Sequence, residues 1–246
     1  MFSRTITDFW HAPLVGGDVL HQDEALTVVS NPALAEDRRV TVLTTAPGVE
    51  RSTSTVLVAL TPAVADTLGL VGRDDLTEVV VRQALRDTQV TLHEADCVFH
   101  FTEEARAELL DEPDEPGVRR LTAGDAAAFA AFEASAPEQD LDDAYVELDH
   151  WAVFGAFDGE RLVSAASMYP WAGARLADTG VLTLPESRGQ GHARRVVRAI
   201  SRYAYSQGYE PQYRCQVDNA ASRALAVRAG LTQLGTWEVV SPDPAG

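Results

Sequence analysis

An apolar run, Val181 to Leu184, enters the string Pro185-Glu186-Ser187-Arg188-Gly189-Gln190-Gly191-His192-Ala193, and the residues beyond it have the periodicity of a helix. A strand that passes through a glycine turn into a helix makes an anion site. The first N–H groups of a helix lack backbone partners, its N-terminal end is the positive pole of the dipole, and glycines let phosphate oxygens approach the main chain. The chemistry to expect is the binding of a pyrophosphate. Two other phosphate motifs do not fit: a P-loop needs Lys and then Ser or Thr after its last glycine, where this chain has His192 and Ala193, and a dinucleotide fingerprint needs a third glycine where it has Arg194.

The helix after the turn has a core face in Ala193, Val197, Ile200 and Ala204, and an outer face bearing Arg194, Arg198 and Arg202. Strand, glycine turn and helix, followed by the strand QYRCQVD and the helix NAASRALAVRAGL, resemble the GNAT superfamily of acyltransferases over Val118 to Val240. The family signature is Gln or Arg, two variable residues, Gly, any residue, then Gly or Ala. Here it reads Glu186, Ser187, Arg188, Gly189, Gln190, Gly191, with a departure at the first position. The resemblance implies a mixed, mostly antiparallel central sheet flanked by helices, with acetyl-CoA as co-substrate and no metal. It implies that Arg188, Gly189, Gln190, Gly191, His192 and Ala193 bind the cofactor. The backbone of Val181, Leu182, Thr183 and Leu184 would polarise the thioester carbonyl, while Asn219 and Ser222 would flank the pantetheine arm. A plain helix N-cap is the other reading of Asn219.

Direct transfer of an acetyl group to an amine needs a base, an oxyanion site and a way to release a thiol. Asp178, on the strand leading into the turn, lies where many relatives place a water-mediated Glu base, and Glu147, Asp149 and Tyr169 are further candidates. Ala226 stands where many relatives have the Tyr that protonates the thiolate; Ser222 and Cys215 are the nearby substitutes, although a thiol of pKa ~8.5 leaves tolerably without help. Arg194, Arg198 and Arg202 read either as contacts to the 3′-phosphate of coenzyme A or as a solvated face. Trp151 and Trp171 read either as an acceptor pocket or as core.

These residues must be positioned by an α/β (α+β) framework. The pattern predicts strands over Trp151 to Phe157, Arg161 to Tyr169, Leu176 to Leu184, Gln212 to Val217 and Leu234 to Val240, the first two joined at Asp158-Gly159. Helices are expected over Gly124 to Ala134, Glu138 to Leu148, Gly191 to Gln207 and Ala220 to Ala229. Upstream, strands are expected over Leu26 to Ser30, Val40 to Thr45, Thr55 to Thr61 and Cys97 to Phe101, with helices from Pro62 and over Leu76 to Arg86. The acidic proline segment Asp111 to Gly117 marks the division between an N-terminal α+β domain, residues 1–112, and a GNAT-like domain, residues 117–246. The N-terminal half carries no chemical motif; it is either a degenerate GNAT-like half or a cover for the acceptor site.

With 20 basic against 37 acidic residues the formal charge is −17, which opposes binding to nucleic acid or anionic lipid. Two cysteines, Cys97 and Cys215, are too few for a disulfide framework, and no apolar stretch reaches the ~20 residues of a membrane span. A cytoplasmic N-acetyltransferase acting on a small-molecule amine or a protein amine is the expectation, with a homodimer compatible. A non-catalytic acyl-CoA sensor or scaffold is the rival, and a protein-directed enzyme that docks its partner through the N-terminal domain is the third reading.

Overall fold

Short strands and helices alternate along the whole chain in the computed structural model, which describes residues 1–49 and 52–241. In order they are α1 (Arg4–His11), β1 (Asp18–Gln22), β2 (Leu26–Ser30), β3 (Val40–Thr45), β4 (Val56–Leu60), α2 (Pro62–Thr67), α3 (Glu78–Asp87), β5 (Asp96–His100) and α4 (Glu103–Leu110). Then follow β6 (Val118–Arg120), α5 (Ala126–Glu133), α6 (Glu138–Ala144), β7 (Ala152–Asp158), β8 (Arg161–Trp171) and β9 (Leu176–Thr183). The chain continues with α7 (His192–Ser206), β10 (Glu210–Gln216), α8 (Ala220–Arg228) and β11 (Thr232–Val239). Caps account for several bounds. Thr77 and Thr102 accept from the third residue of α3 and of α4, and Thr122 with Asp125 forms a reciprocal capping box ahead of α5. The expected helix Glu138 to Leu148 is shorter than predicted, because Tyr145 turns left-handed at φ 45° and ends α6 at Ala144.

Contacts divide the chain into two compact units. One comprises Met1–Ile6, Phe99–Arg214 and Ala220–Thr232; the other comprises Thr7–Val98, Cys215–Asn219 and the chain from Gln233. The contact boundary at Phe99 differs from the one drawn at the acidic segment, for a physical reason. Glu112 and Asp114 of that segment are ion-paired to Arg198 and Arg202 of α7, which ties the segment to the C-terminal unit. The last strand also lies with the N-terminal half, since β11 runs antiparallel to β3 with Gly235 opposite Thr45 and Val239 opposite Thr41.

In the unit of residues 7–98, β2 is parallel to β4, which is antiparallel to β3, and Val28, Val42, Val58 and Leu60 pack with Ala65 of α2 and Val81 and Leu85 of α3. In the other unit β6, β7, β8 and β9 form an antiparallel ladder and β10 joins β9 in parallel. This is a mixed, mostly antiparallel sheet flanked by helices. Strand alternation sorts its faces. Ala166 and Met168 of β8 pack with Val196 and Ile200 of α7, while Ala165 packs with Leu182 and with Phe129 and Phe132 of α5. The face of Ser167 and Tyr169 is therefore that of α5 and α6.

Candidate active site

The parallel pairing of β9 with β10 lasts only four residues, from Leu176 opposite Glu210 to Thr179 opposite Tyr213. Beyond that point β9 runs on to Thr183 beside β8 alone. Its main chain on the open edge can be read from the ladder. Leu184 N–H donates to Val163 O at 3.0 Å, so by alternation Leu182 also faces β8, whereas Val181 and Thr183 present their N–H and C=O groups to the edge β10 has left. Of the four backbone donors expected between Val181 and Leu184, those of Leu182 and Leu184 are thus committed to the sheet.

β9 leads through a 3-10 turn, Pro185–Ser187, into the glycine turn. Gly189 and Gly191 have φ of 77° and 83°, and a Cβ built on either meets no atom within 4 Å, so the main chain there lies open to a ligand. Gly191 is the N-cap of the fifteen-residue helix α7, with no side-chain cap on its first N–H groups. The side chains around the turn are held in place: Arg188 donates to Asp140 Oδ2 at 2.6 Å and to Thr183 O at 3.2 Å, and Gln190 donates to Glu186 O at 3.2 Å. The His192 ring accepts from Arg195 Nη2 at 2.7 Å, and burial together with the Arg195 charge lowers its pKa, which keeps it neutral beside an anion site. The backbone N–H groups at the start of α7 are of the kind that holds a pyrophosphate, and the open glycine cradle fits one.

The arginines of the outer face of α7 have other work. Arg198 is buried, donates two hydrogen bonds to Glu112 at 2.6 and 2.8 Å, and also donates to Ala229 O; Arg194 reaches Arg228 O at 3.0 Å and Arg202 reaches Asp114 at 3.1 Å. They clamp the acidic segment and the C-terminal end of α8, so neither a solvated face nor a 3′-phosphate contact describes Arg198.

Asp178 is likewise committed. It is 6% exposed, its carboxylate is gripped by Arg214 through Nη2 at 2.7 Å and Nε at 3.1 Å, and it also accepts from Gln212 Nε2 at 2.9 Å and Tyr169 Oη at 3.2 Å. Both oxygens accept hydrogen bonds within this group of side chains. Burial first, and the Asp178 charge second, push the Tyr169 hydroxyl up to about 12. Arg214 also lies over the Trp171 ring, 4.9 Å from its centroid, while Trp151 packs between Tyr203 and Tyr209 on the α7 face. At the start of α8, Ser222 Oγ lies 2.6 Å from the hydroxyl of buried Tyr213, and Ala226 is fully buried. Cys215 and Asn219 fall in the other contact unit, Cys215 half-buried and Asn219 exposed just ahead of α8.

A residue not singled out from the sequence, His150, sits beside Tyr169, whose hydroxyl donates to Asp178. Its Nδ1 lies 2.8 Å from Ser167 Oγ and its Nε2 3.5 Å from Glu147 Oε2. The ring lies 4.9 Å from Tyr145 and 5.1 Å from Tyr169, centroid to centroid. Gly180, opposite Ser167 in the ladder, has no room for a side chain because a Cβ would collide with Ala144 O, so the end of α6 lies directly on β9. His150, Glu147, Tyr145 and Tyr169 thus form one cluster on the face of α6, next to the edge where β9 leaves β10. The one sequence signal was the cluster of polar and aromatic residues around Tyr145 to His150.

Residues 122–231 match the Acetyltransferase (GNAT) family. The solved structures similar to the chain include a putative GNAT-family acetyltransferase from Novosphingobium aromaticivorans DSM 12444, 20% identical, covering 61% of this chain and 64% of that one, TM-score 0.46. A GNAT-family acetyltransferase from Colwellia psychrerythraea is 21% identical over 67% of this chain and 62% of that one, TM-score 0.49. A functionally unknown conserved protein from Staphylococcus epidermidis ATCC 12228 is 12% identical, covering 92% and 94% of the two chains, TM-score 0.44. The match spans 64% and 62% of the length of the first two. No curated protein matches the chain. The match to the Acetyltransferase (GNAT) family is confined to residues 122–231.

Proposed function

We propose that this domain transfers an acetyl group from acetyl-CoA to a primary amine by direct attack, with His150 as the general base. The observation that carries the reading is the placement of His150 between Glu147 and Ser167, on the sheet face next to the open edge of β9. Acetyl-CoA supplies an activated thioester. The turn from Arg188 to Ala193 binds its pyrophosphate through the first N–H groups of α7. The Val181 N–H, on the open edge of β9, polarises the carbonyl.

An amine is protonated at neutral pH and must lose a proton before it can attack. Glu147, on the Nε2 side of the ring, stabilises the imidazolium that results, and Ser167 fixes the ring from Nδ1. Tyr145 and Tyr169 bracket the ring and offer π faces to an ammonium arriving at the same place. Asp178 acts as a positioning residue, holding Tyr169 and Arg214. Ser222, hydrogen-bonded to Tyr213, is the hydroxyl nearest the buried Ala226 position along α8 and is the donor that supports thiolate release.

The test is steady-state acetylation of a set of primary amines by the wild type and His150→Gln. Loss of turnover with acetyl-CoA affinity unchanged supports the base; equal turnover removes it. Burial of Ala226, which excludes a Tyr from that place, favours the second reading, an acyl-CoA sensor without turnover. Binding of acetyl-CoA with no amine acetylated by the wild type would select it.

A further inference from the structure

A base must touch the proton it removes, yet the His150 side chain is only 10% exposed. The groups around the ring differ in what holds them. Ser167, 2.8 Å from Nδ1, is buried in β8, and Tyr169, at 5.1 Å between ring centroids, is tethered through its hydroxyl to Asp178. Nε2 lies 3.5 Å from Glu147 Oε2, on a side chain that is 49% exposed. Tyr145 is the other exposed group against the ring. It meets His150 edge-on at 4.9 Å and Tyr169 at 5.8 Å, but it is 54% exposed and follows a helix of only seven residues. The way from solvent to Nε2 therefore passes Glu147 and Tyr145.

The backbone at Tyr145 is a second, separate observation. At φ 45° and ψ 52° it is left-handed, a conformation that carries strain for any residue with a Cβ and that aromatic residues rarely adopt. Glycine or asparagine would end α6 in the same way without that strain. Such strain persists where the structure around it imposes it, and here it sets an aromatic ring against the imidazole. Resting on the reading of His150 as the base, we propose that Tyr145 selects the acceptor: its ring screens the approach to Nε2, admits a small primary amine carried on an unbranched methylene, and excludes an amine on a branched carbon, such as an α-amino group. The reason is steric. The nitrogen must come within about 3 Å of Nε2 for its proton to pass. A methylene brings one substituent to that depth, whereas a branched carbon brings a second, which meets the Tyr145 ring.

The experiment compares the full-length wild type with Tyr145→Phe, which keeps the ring, and with Tyr145→Asn and Tyr145→Gly, which remove it but suit the left-handed turn. One readout is kcat/KM for acetylation of n-butylamine and sec-butylamine, isomers that differ at the carbon bearing the nitrogen. The wild type and Tyr145→Phe should favour n-butylamine by about tenfold or more, and that ratio should fall at least about fivefold in Tyr145→Asn and Tyr145→Gly. The other readout needs no turnover: carbethoxylation of the histidines by diethyl pyrocarbonate, mapped by peptide mass spectrometry. His150 should react several-fold faster in the two variants without the ring than in the wild type or Tyr145→Phe, with the other histidines unchanged. Equal carbethoxylation of His150 in all four proteins would overturn the proposal whatever the turnover, and so would an amine ratio that does not respond to loss of the ring. Faster carbethoxylation with neither amine acetylated by any of the four would support Tyr145 as the screen over His150 and contradict the acetyltransferase reading, and with it the acceptor class.

Discussion

A histidine ring between a carboxylate and a hydroxyl has each nitrogen oriented by a different group, and His150 is in that position between Glu147 and Ser167. In the proposed role His150→Gln lowers kcat by about 10²-fold or more, while calorimetry finds the acetyl-CoA affinity of the wild type. Asp178→Asn should behave differently. It breaks the ion pair with Arg214, whose side chain is 21% exposed, and so costs about 2 kcal/mol and several degrees of melting temperature. A fall in turnover with no change in melting temperature would return Asp178 to the catalytic step. The sequence showed Asp178 as a carboxylate on the right strand, but its partner Arg214 is 36 residues further on and meets it only through the parallel register of β9 with β10. His150 was illegible for the same reason, because its contact with Ser167 exists only once β8 is in place.

Elements defined by local chemistry were legible in the sequence. The glycine turn and the hairpin between β7 and β8 both depend on neighbours a few residues apart, and each is present, the hairpin turning one residue later than expected, at Gly159 and Glu160, with Asp158 paired to Arg161. α1 and β1 were missed, since their short amphipathic patterns define no element without the residues they pack against. The close seat of α6 on β9 yields a prediction at this scale. Gly180→Ala places a methyl group against Ala144 O, so the Tyr145 end of α6 must move away from β9. The variant should acetylate amines with a raised KM but bind acetyl-CoA as the wild type does. An unchanged KM would show that this segment plays no part in holding the acceptor.

Across the molecule, chain order and contact order differ: the strand nearest the C-terminus pairs with β3, which composition alone could not reveal. The acidic proline segment reads as a linker in sequence but acts as an ion-paired strap on α7, because Glu112 and Asp114 meet arginines 86 and 88 residues later. Stability should also respond to pH through His100, which is fully buried, bonded through Nδ1 to Pro211 O at 3.0 Å, and lowered by burial to about 4. Between pH ~6.5 and 4 the unfolded chain takes up a proton that the folded one refuses, so this group's contribution falls by about 3 kcal/mol as pH drops through that window. Denaturant midpoints of wild type and His100→Gln should therefore converge, or cross in favour of the variant, as pH falls from 6.5 to 4. A constant difference across that range would mean that His100 is not held neutral.

Each step proposed for the domain depends on the glycine turn holding acetyl-CoA. The most direct measurement is a calorimetric titration of acetyl-CoA into the wild type, Gly191→Asn and Gly191→Glu. The wild type should bind at about micromolar Kd. Asn tolerates the left-handed backbone at φ 83° and adds no charge, so that variant should retain most of the affinity, whereas Glu sets an anion against the pyrophosphate and should abolish it. Equal affinity in all three proteins, with circular dichroism showing each one folded, would place the cofactor elsewhere and contradict the account.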